Sequence, residues 1–176
     1  VGSNTVHLVM VDARRGGHPT PMSDTKSTMK LVEYLDDDND LSKKGIDKLT
    51  GYVAEAKGLV DQMRCEEMIS FATSAVRDAR NSDDVPDHVE KETGTRLEIL
   101  SGEDEAGLTF LAVRRWYGWS AGRIVNLDIG GGSLELTSGT DEDPDAAYSL
   151  LLGAGRLTHE WFDTDPPERK KIDLLR

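Results

Sequence analysis

Three consecutive glycines, Gly130 to Gly132, stand between two apolar runs and constrain this chain more than any other feature. Residues 124–127 read as a strand that ends in a carboxylate, Asp128. Ser133 follows the glycines, and a second alternating run, residues 134–136, puts Glu135 on the opposite face from its leucine neighbours. Glycines without side chains let backbone N–H groups close around an anion, and Ser133 can add a donor. Asp128 repels a phosphate on its own, so it is expected to orient water or to hold a divalent cation. A ligand-free glycine hairpin is the competing reading of this segment, because glycine patterns match falsely often. A second small polar turn, Gly2-Ser3-Asn4-Thr5, precedes the strand-like residues 6–11.

The chain has 176 residues, enough for one domain or for one domain and part of another. Its net charge of −12 argues against duplex nucleic acid, whose phosphates need clustered Lys and Arg, and disfavours anionic membranes. No run approaches the length of a membrane span. Residues 1–11 lack the basic region and cleavage site of a signal peptide, although the chain begins abruptly without Met and reads as a fragment. The single Cys65 excludes an internal disulfide and fits a reducing cytoplasm; it is expected in the core or at a strand edge. The acidic run 36–40 is expected to be a solvated loop, since it lacks the glycine and glutamate of a calcium loop.

Along the chain, residues 6–11 form a strand, residues 14–21 a turn before a second strand, and residues 28–34 a weak third. Ser42 is expected to cap a helix carrying Ile46, Leu49, Val53, Ala56 and Val60 on one face. Residues 67–72 read as a buried strand. Ser82 is expected to cap a helix that Gly94 ends, and residues 97–100 form a short strand. A helix from about Glu103 to Tyr117, with Ala106, Phe110, Val113 and Tyr117 as its apolar stripe, stops at Gly118. Residues 147–152 form another strand, Trp161 and Phe162 belong to a short helix, and Pro166-Pro167 opens a last one. Strands alternating with helices after an initial meander argue for an α/β fold. The two Gly-Ser loops suggest a duplicated architecture, with a boundary near 118–123.

Four clusters carry the chemistry. Residues 2–5 offer N–H groups, hydroxyls and an amide, but are equally an ordinary turn. Arg77, in Thr73-Ser-Ala-Val-Arg77 just past a strand, offers bidentate donors to phosphoryl oxygens or pairs with Asp78. Glu103, Asp104 and Glu105 open a helix, where acids are favoured by the dipole alone; alternatively one of them activates a water. Local features do not choose among the three, and Glu105 is preferred only as the neighbour of Ala106. The glycine hairpin with Asp128 and Glu135 is the fourth. His7, His18, His88 and His159 have no metal-ligand spacing, and His7 is expected to be structural. Gly-x-Ser-x-Gly, a lysine-bearing phosphate loop and Gly-x-Gly-x-x-Gly are absent.

Together, Gly-Ser-Asn-Thr-Val-His (2–7), Ala-Thr-Ser-Ala-Val-Arg (72–77), Ser-Gly-Glu-Asp-Glu-Ala (101–106), Asp-Ile-Gly-Gly-Gly-Ser-Leu-Glu (128–135) and Gly-Ala-Gly-Arg-Leu-Thr (153–158) resemble the exopolyphosphatase / guanosine pentaphosphate phosphohydrolase (Ppx/GppA) family. This family belongs to the actin-like ATPase superfamily, and the details look like its short two-domain actinobacterial members. The resemblance implies two ribonuclease-H-like α/β domains, each with a mixed sheet flanked by helices, and a cleft between them. It places domain I at residues 1–122, with its first strand partly missing, and the opening part of domain II at residues 123–176. Family members carry an Asp two positions before the Gly of the first loop, a position ahead of Val1. Asp104 stands where the family usually has Glu.

The same resemblance assigns roles. Glu105 maps to the catalytic base. Gly2, Ser3, Asn4, Thr5, Arg77, Gly130, Gly131, Gly132 and Ser133 map to phosphate binding, and Asp128 and Glu135 to a Mg²⁺ site or that of another divalent cation. The implied activity is release of terminal phosphate from inorganic polyphosphate by Mg-assisted attack of water. Arg77, Arg80 and Arg156 are expected along the polyphosphate path. A guanosine pentaphosphate 5′-phosphohydrolase, a small-molecule kinase and a non-catalytic polyphosphate or nucleotide sensor are the alternatives. A homodimer, no duplex nucleic acid partner, no membrane and a cytoplasmic location complete the expectations.

Overall fold

A computed structural model describes every residue except His18, Asp37, Asp165 and Arg176. The chain divides into two compact units, Val1–Ile99 and Leu100–Arg176. The division by contacts thus falls ahead of the boundary expected at residue 122, because the long helix after Leu100 packs on the strands that follow it.

In the first unit β1 (Thr5–Asp12) pairs antiparallel with β2 (Thr20–Thr28), with an irregularity between Met10 and Val11. The expected third strand is a 3-10 helix, Leu31–Tyr34. Its approach is already committed: the N–H groups of Met29 and Lys30 donate to Asn4 O at 2.9 and 3.1 Å, and that of Leu31 to Ser3 O at 2.6 Å. Backbone donors spent on the 2–5 turn cannot also serve a strand ladder.

Helix α1 (Lys43–Gln62) begins where expected, with Ser42 Oγ accepting from Gly45 N at 3.4 Å, and buries Leu49, Val53 and Val60. A single turn, α2 (Ser74–Arg77), follows β3 (Phe71–Ala72). Helix α3 (Asp84–Thr93) has Asp83 rather than Ser82 at its N-cap and ends at Gly94 in the left-handed conformation. β3 and β4 (Glu98–Ile99) form a two-residue parallel pair, much shorter than the strands expected at 67–72 and 97–100. β3 also bonds the backbone of Val1, whose carbonyl accepts from Thr73 N at 3.0 Å; ahead of it Ser70 O accepts from Glu98 N at 3.0 Å, while Ile69 is exposed. Cys65 is also exposed, not in the core.

The second unit is helix α4 (Gly102–Tyr117) laid across a three-stranded antiparallel sheet of β5 (Ile124–Ile129), β6 (Leu134–Gly139) and β7 (Ala146–Leu150). Helices α5 (Ala154–Trp161) and α6 (Arg169–Leu175) complete it; α6 starts beyond the expected Pro166-Pro167. α4 covers the face carrying Glu135, Thr137 and Gly139, all buried, while Val125, Leu127 and Ile129 lie exposed on the other. The helix turns Ala106, Phe110 and Arg114 to the sheet, and Tyr117 of the expected stripe is exposed. Arg114 is fully buried, yet among the described residues its guanidinium forms no ion pair. It donates to the carbonyls of Gly118, Gly122, Gly139 and Asp141 at 2.8 to 3.3 Å. Burial of this cation is tolerated because backbone oxygens replace its water. Arg114→Met keeps the volume but orphans the carbonyls, and is expected to lower the unfolding free energy by about 3 kcal/mol or more. Urea denaturation measures this, and a loss under about 1 kcal/mol would show the carbonyls to be satisfied without Arg114.

Candidate active site

Two turns in the two units are built alike. In the first, Gly2 N donates to Thr5 O at 2.9 Å; in the second, Gly130 N donates to Ser133 O at 2.9 Å. In each turn the carbonyls of the inner residues are taken by the chain that follows the hairpin. Ser3 O and Asn4 O accept from residues 29–31. Gly130 O, Gly131 O and Gly132 O accept from Ala154 N, Arg156 N and Gly153 N at 2.9, 2.9 and 3.3 Å. The duplication expected from two Gly-Ser loops is therefore present in hydrogen bonding, down to the donors that close each loop.

The first unit brings residues 2–5 and 73–77 together. Ser3 and Ser74, both buried, share a hydrogen bond of 2.8 Å between their hydroxyls. Arg77 is mostly covered and its Nε donates to Asp78 Oδ1 at 3.2 Å. The segment after Arg77 is latched to the acidic run. Arg80 makes a two-pronged contact with Asp40, Nε to Oδ1 at 3.0 Å and a terminal nitrogen to Oδ2 at 2.5 Å. Asn39 Nδ2 donates to Asp78 O, and Asn81 exchanges two hydrogen bonds with the backbone of Leu41. The run is a solvated loop at Asp36 and Asp38, as expected, and its end, Asn39 and Asp40, clasps the segment after Arg77 (Asp37 lies outside the described residues). His7 is exposed and pairs with Asp24 at 3.3 Å; His18 lies outside the described residues.

In the second unit the register sets Asp128 opposite Glu135 and Glu135 opposite Ser149, a row across three strands on the face that α4 covers. Glu135 is 1% exposed and accepts from Ser149 Oγ at 2.9 Å. Asp128 is half-buried, and among the described residues neither carboxylate forms an ion pair. In the neighbouring row Asn126 Nδ2 and Thr137 Oγ1 are buried and lack a partner among the described residues. Serine 149 and this second polar row escaped the sequence reading; the alternation Ala147, Ser149 after an acidic turn was the only signal.

Arg114 ties the C-terminal half of α4 to the sheet end away from the hairpin, so the N-terminus of α4 points toward the glycine turn. Of the three acids that open α4, Asp104 is used in the cap: its N–H donates to Ser101 Oγ at 3.0 Å and its carboxylate accepts from Ser101 Oγ at 2.6 Å. Glu103 is exposed, and Glu105 is half-buried beside the buried Ala106. The register sets Asp128 and Glu135 in the strands that flank residues 130–133, and Glu105 lies in the first turn of the helix packed on the same sheet.

The Ppx/GppA phosphatase family matches residues 10–176. The chain belongs to that family. Exopolyphosphatase 1 of Mycobacterium tuberculosis is 61% identical over 176 residues, which is 100% of this chain and 51% of that protein. The Mycobacterium leprae protein of the same name is 60% identical and is covered over 52% of its length. The chain thus spans about half the length of the curated relatives it matches. Among solved structures, an exopolyphosphatase from Cytophaga hutchinsonii superposes with a TM-score of 0.89 at 25% identity, over 99% of this chain and 55% of that one. The Aquifex aeolicus Ppx/GppA family member gives a TM-score of 0.77 at 26% identity, over 99% and 56%. The α/β, actin-like fold expected from the sequence is the fold of these Ppx/GppA structures.

The Asp40–Arg80 clasp of this Ppx/GppA chain has a pH signature. Hydrogen bonds from Arg80 hold the Asp40 carboxyl below its ordinary 3.8. As pH falls, the unfolded chain takes up that proton before the folded one does. The contribution of Asp40 is then complete above 3.8 and is lost as pH drops through the lowered value. In urea denaturation, wild type is expected to be more stable than Asp40→Asn at neutral pH, with the difference closing in acid below 3.8. A pH-independent difference would mean that the Asp40 charge contributes nothing.

Proposed function

We propose that this chain is part of a phosphoanhydride hydrolase that releases terminal phosphate from inorganic polyphosphate. The observation that carries the reading is the cross-strand pair of Asp128 and Glu135 beside the amide-rich turn 130–133; Glu105 joins it as the half-buried acid that the cap of α4 leaves over. The names of the mycobacterial relatives support the substrate.

N–H groups of residues 131–133 bind the equatorial oxygens of the terminal phosphoryl group. Ser133, the 2–5 turn and Arg77 belong to the same reading as further phosphate donors. Glu105 orients a water and accepts its proton as the water oxygen bonds to phosphorus. The bridging P–O bond breaks, and the shortened chain leaves with the electron pair on its terminal oxygen. Positioning and charge stabilisation are the main requirements of phosphoryl transfer, and these groups supply them.

Asp128 and Glu135 fit a Mg²⁺ ion: they are an oxygen-only pair without a protein cation, beside buried polar atoms of Asn126 and Thr137 suited to a hydrated ion. Two carboxylates leave the remaining positions to water and phosphate oxygens, which is how Mg²⁺ is commonly held. The bound ion would supply neutralisation of charge developing on phosphate oxygens. The cytoplasm is the compartment that fits a single unpaired cysteine, and among the described residues no helix is long and apolar enough to cross a membrane.

On the full-length protein with Mg²⁺, phosphate release is expected to be fastest from polyphosphate, compared side by side with guanosine pentaphosphate and ATP. Faster release from guanosine pentaphosphate would assign the other activity in the family's name, and binding without release would make the protein a sensor. Glu105→Gln is expected to lower kcat by about 10²- to 10⁴-fold with substrate affinity within a few-fold of wild type. Wild-type turnover in that variant would remove Glu105 from the role. Chelation of divalent cations should abolish release, and Asp128→Asn should raise the Mg²⁺ concentration needed for half-maximal rate.

A further inference from the structure

Helix α5 is seated closer to the glycine turn than any side chain would permit. A Cβ at Gly153 would fall 2.3 Å from Gly132 C and 2.4 Å from Ser133 N, and one at Gly155 would fall 3.0 Å from Gly131 O. This approach lets residues 153–156 donate to all three glycine carbonyls, with Arg156 Nε adding a second bond to Gly132 O at 3.2 Å. The Arg156 side chain is only 16% exposed and also lies 3.8 Å from Glu160.

A peptide plane is trans, so its carbonyl and the following N–H point in opposite directions. Fixing the carbonyls of Gly130, Gly131 and Gly132 toward α5 therefore turns the N–H groups of Gly131, Gly132 and Ser133 away from it, together. Three glycines in a row have ample freedom to flip these planes and present oxygens instead. A turn with mixed orientations would repel an anion. The same arrangement in the first unit, where residues 29–31 hold the carbonyls of Ser3 and Asn4, makes this a device used twice.

We propose that residues 153–156 are positioning residues that hold the 130–133 turn in its anion-binding orientation, and that Arg156 is the side-chain bolt of this latch and makes no contact with the polyphosphate chain. The inference rests on residues 130–133 being the phosphate loop. Arg156 acts through Gly132, so its loss impairs every substrate that places a terminal phosphoryl group there, by a similar factor.

The test uses the full-length protein and Arg156→Gln, with Gly155→Ala as an independent perturbation of the same contact; Gly153→Ala is avoided because its clash is with backbone. The two glycines differ in severity, since a Cβ at Gly153 would overlap backbone atoms at 2.3 Å while one at Gly155 meets Gly131 O at 3.0 Å. Both variants are expected to lose about 10- to 100-fold in kcat/KM, mainly in kcat, with thermal midpoints near wild type. The loss should be equal for tripolyphosphate and long-chain polyphosphate. A loss that grows with chain length would overturn the proposal in favour of direct contact with the chain. A loss accompanied by a matching fall in the thermal midpoint, or no loss at all, would also overturn it. In a parallel titration with tripolyphosphate, the backbone amide resonances of Gly131, Gly132 and Ser133 should shift in wild type and far less in Arg156→Gln. If they do not shift in wild type, the phosphate-loop reading itself fails. If they shift equally in both, the loop reading stands and the latch fails.

Discussion

A peptide group cannot offer its oxygen and its N–H to the same side, and both functional turns of this chain are organised around that constraint. Each turn is closed by one N–H to carbonyl bond across four residues, and each has its inner carbonyls drawn off by a segment that arrives after the hairpin. The donor side of the turn is left by subtraction. No lysine is required in the loop, which is consistent with an acidic chain of net charge −12 handling an anionic ligand through its backbone.

The carboxylates follow from the same hairpin. A period of two along β5 and β6 sends Asp128 and Glu135 to one face and Leu127 and Leu136 to the other. α4 packs on the polar face, with Arg114 anchoring its C-terminal half to the carbonyls of Gly122 and Gly139. Ser101 then sorts the acids that open the helix, because capping consumes Asp104 and leaves the half-buried Glu105 on the side of the sheet. These residues are scattered over 30 positions of sequence and are assembled by one helix and one hairpin.

Local chemistry was legible in the sequence wherever the cause was itself local. The Ser42 cap, the terminating Gly94 and Gly118, and the β5–β6 hairpin lie where the pattern puts them. Readings failed where a distant partner intervened. Residues 31–34 were expected to continue a strand, but the approach to them is bonded to the 2–5 turn. The acidic run does face water at Asp36 and Asp38, but nothing local shows that Asp40 meets an arginine 40 residues away. On α4 the stripe reading favoured Tyr117, and the buried position belongs to Arg114, whose oxygen partners could not be foreseen from an apolar period.

Because the hydrogen bonds of Arg114 go to main-chain oxygens, this contact sets no requirement on the side chains of the segments it grips, whose own side-chain tie is Trp119 Nε1 donating to Asp141 Oδ1 at 3.3 Å. The linker between α4 and β5 needs Gly118 and Gly122 at positive φ, and the turn after β6 needs its carbonyls presented inward; the residues between are otherwise unconstrained by this contact. A single helical residue therefore decouples the shape of two loops from their composition. Such loops can drift, lengthen their side chains or acquire new surface roles while the sheet end they close keeps its geometry.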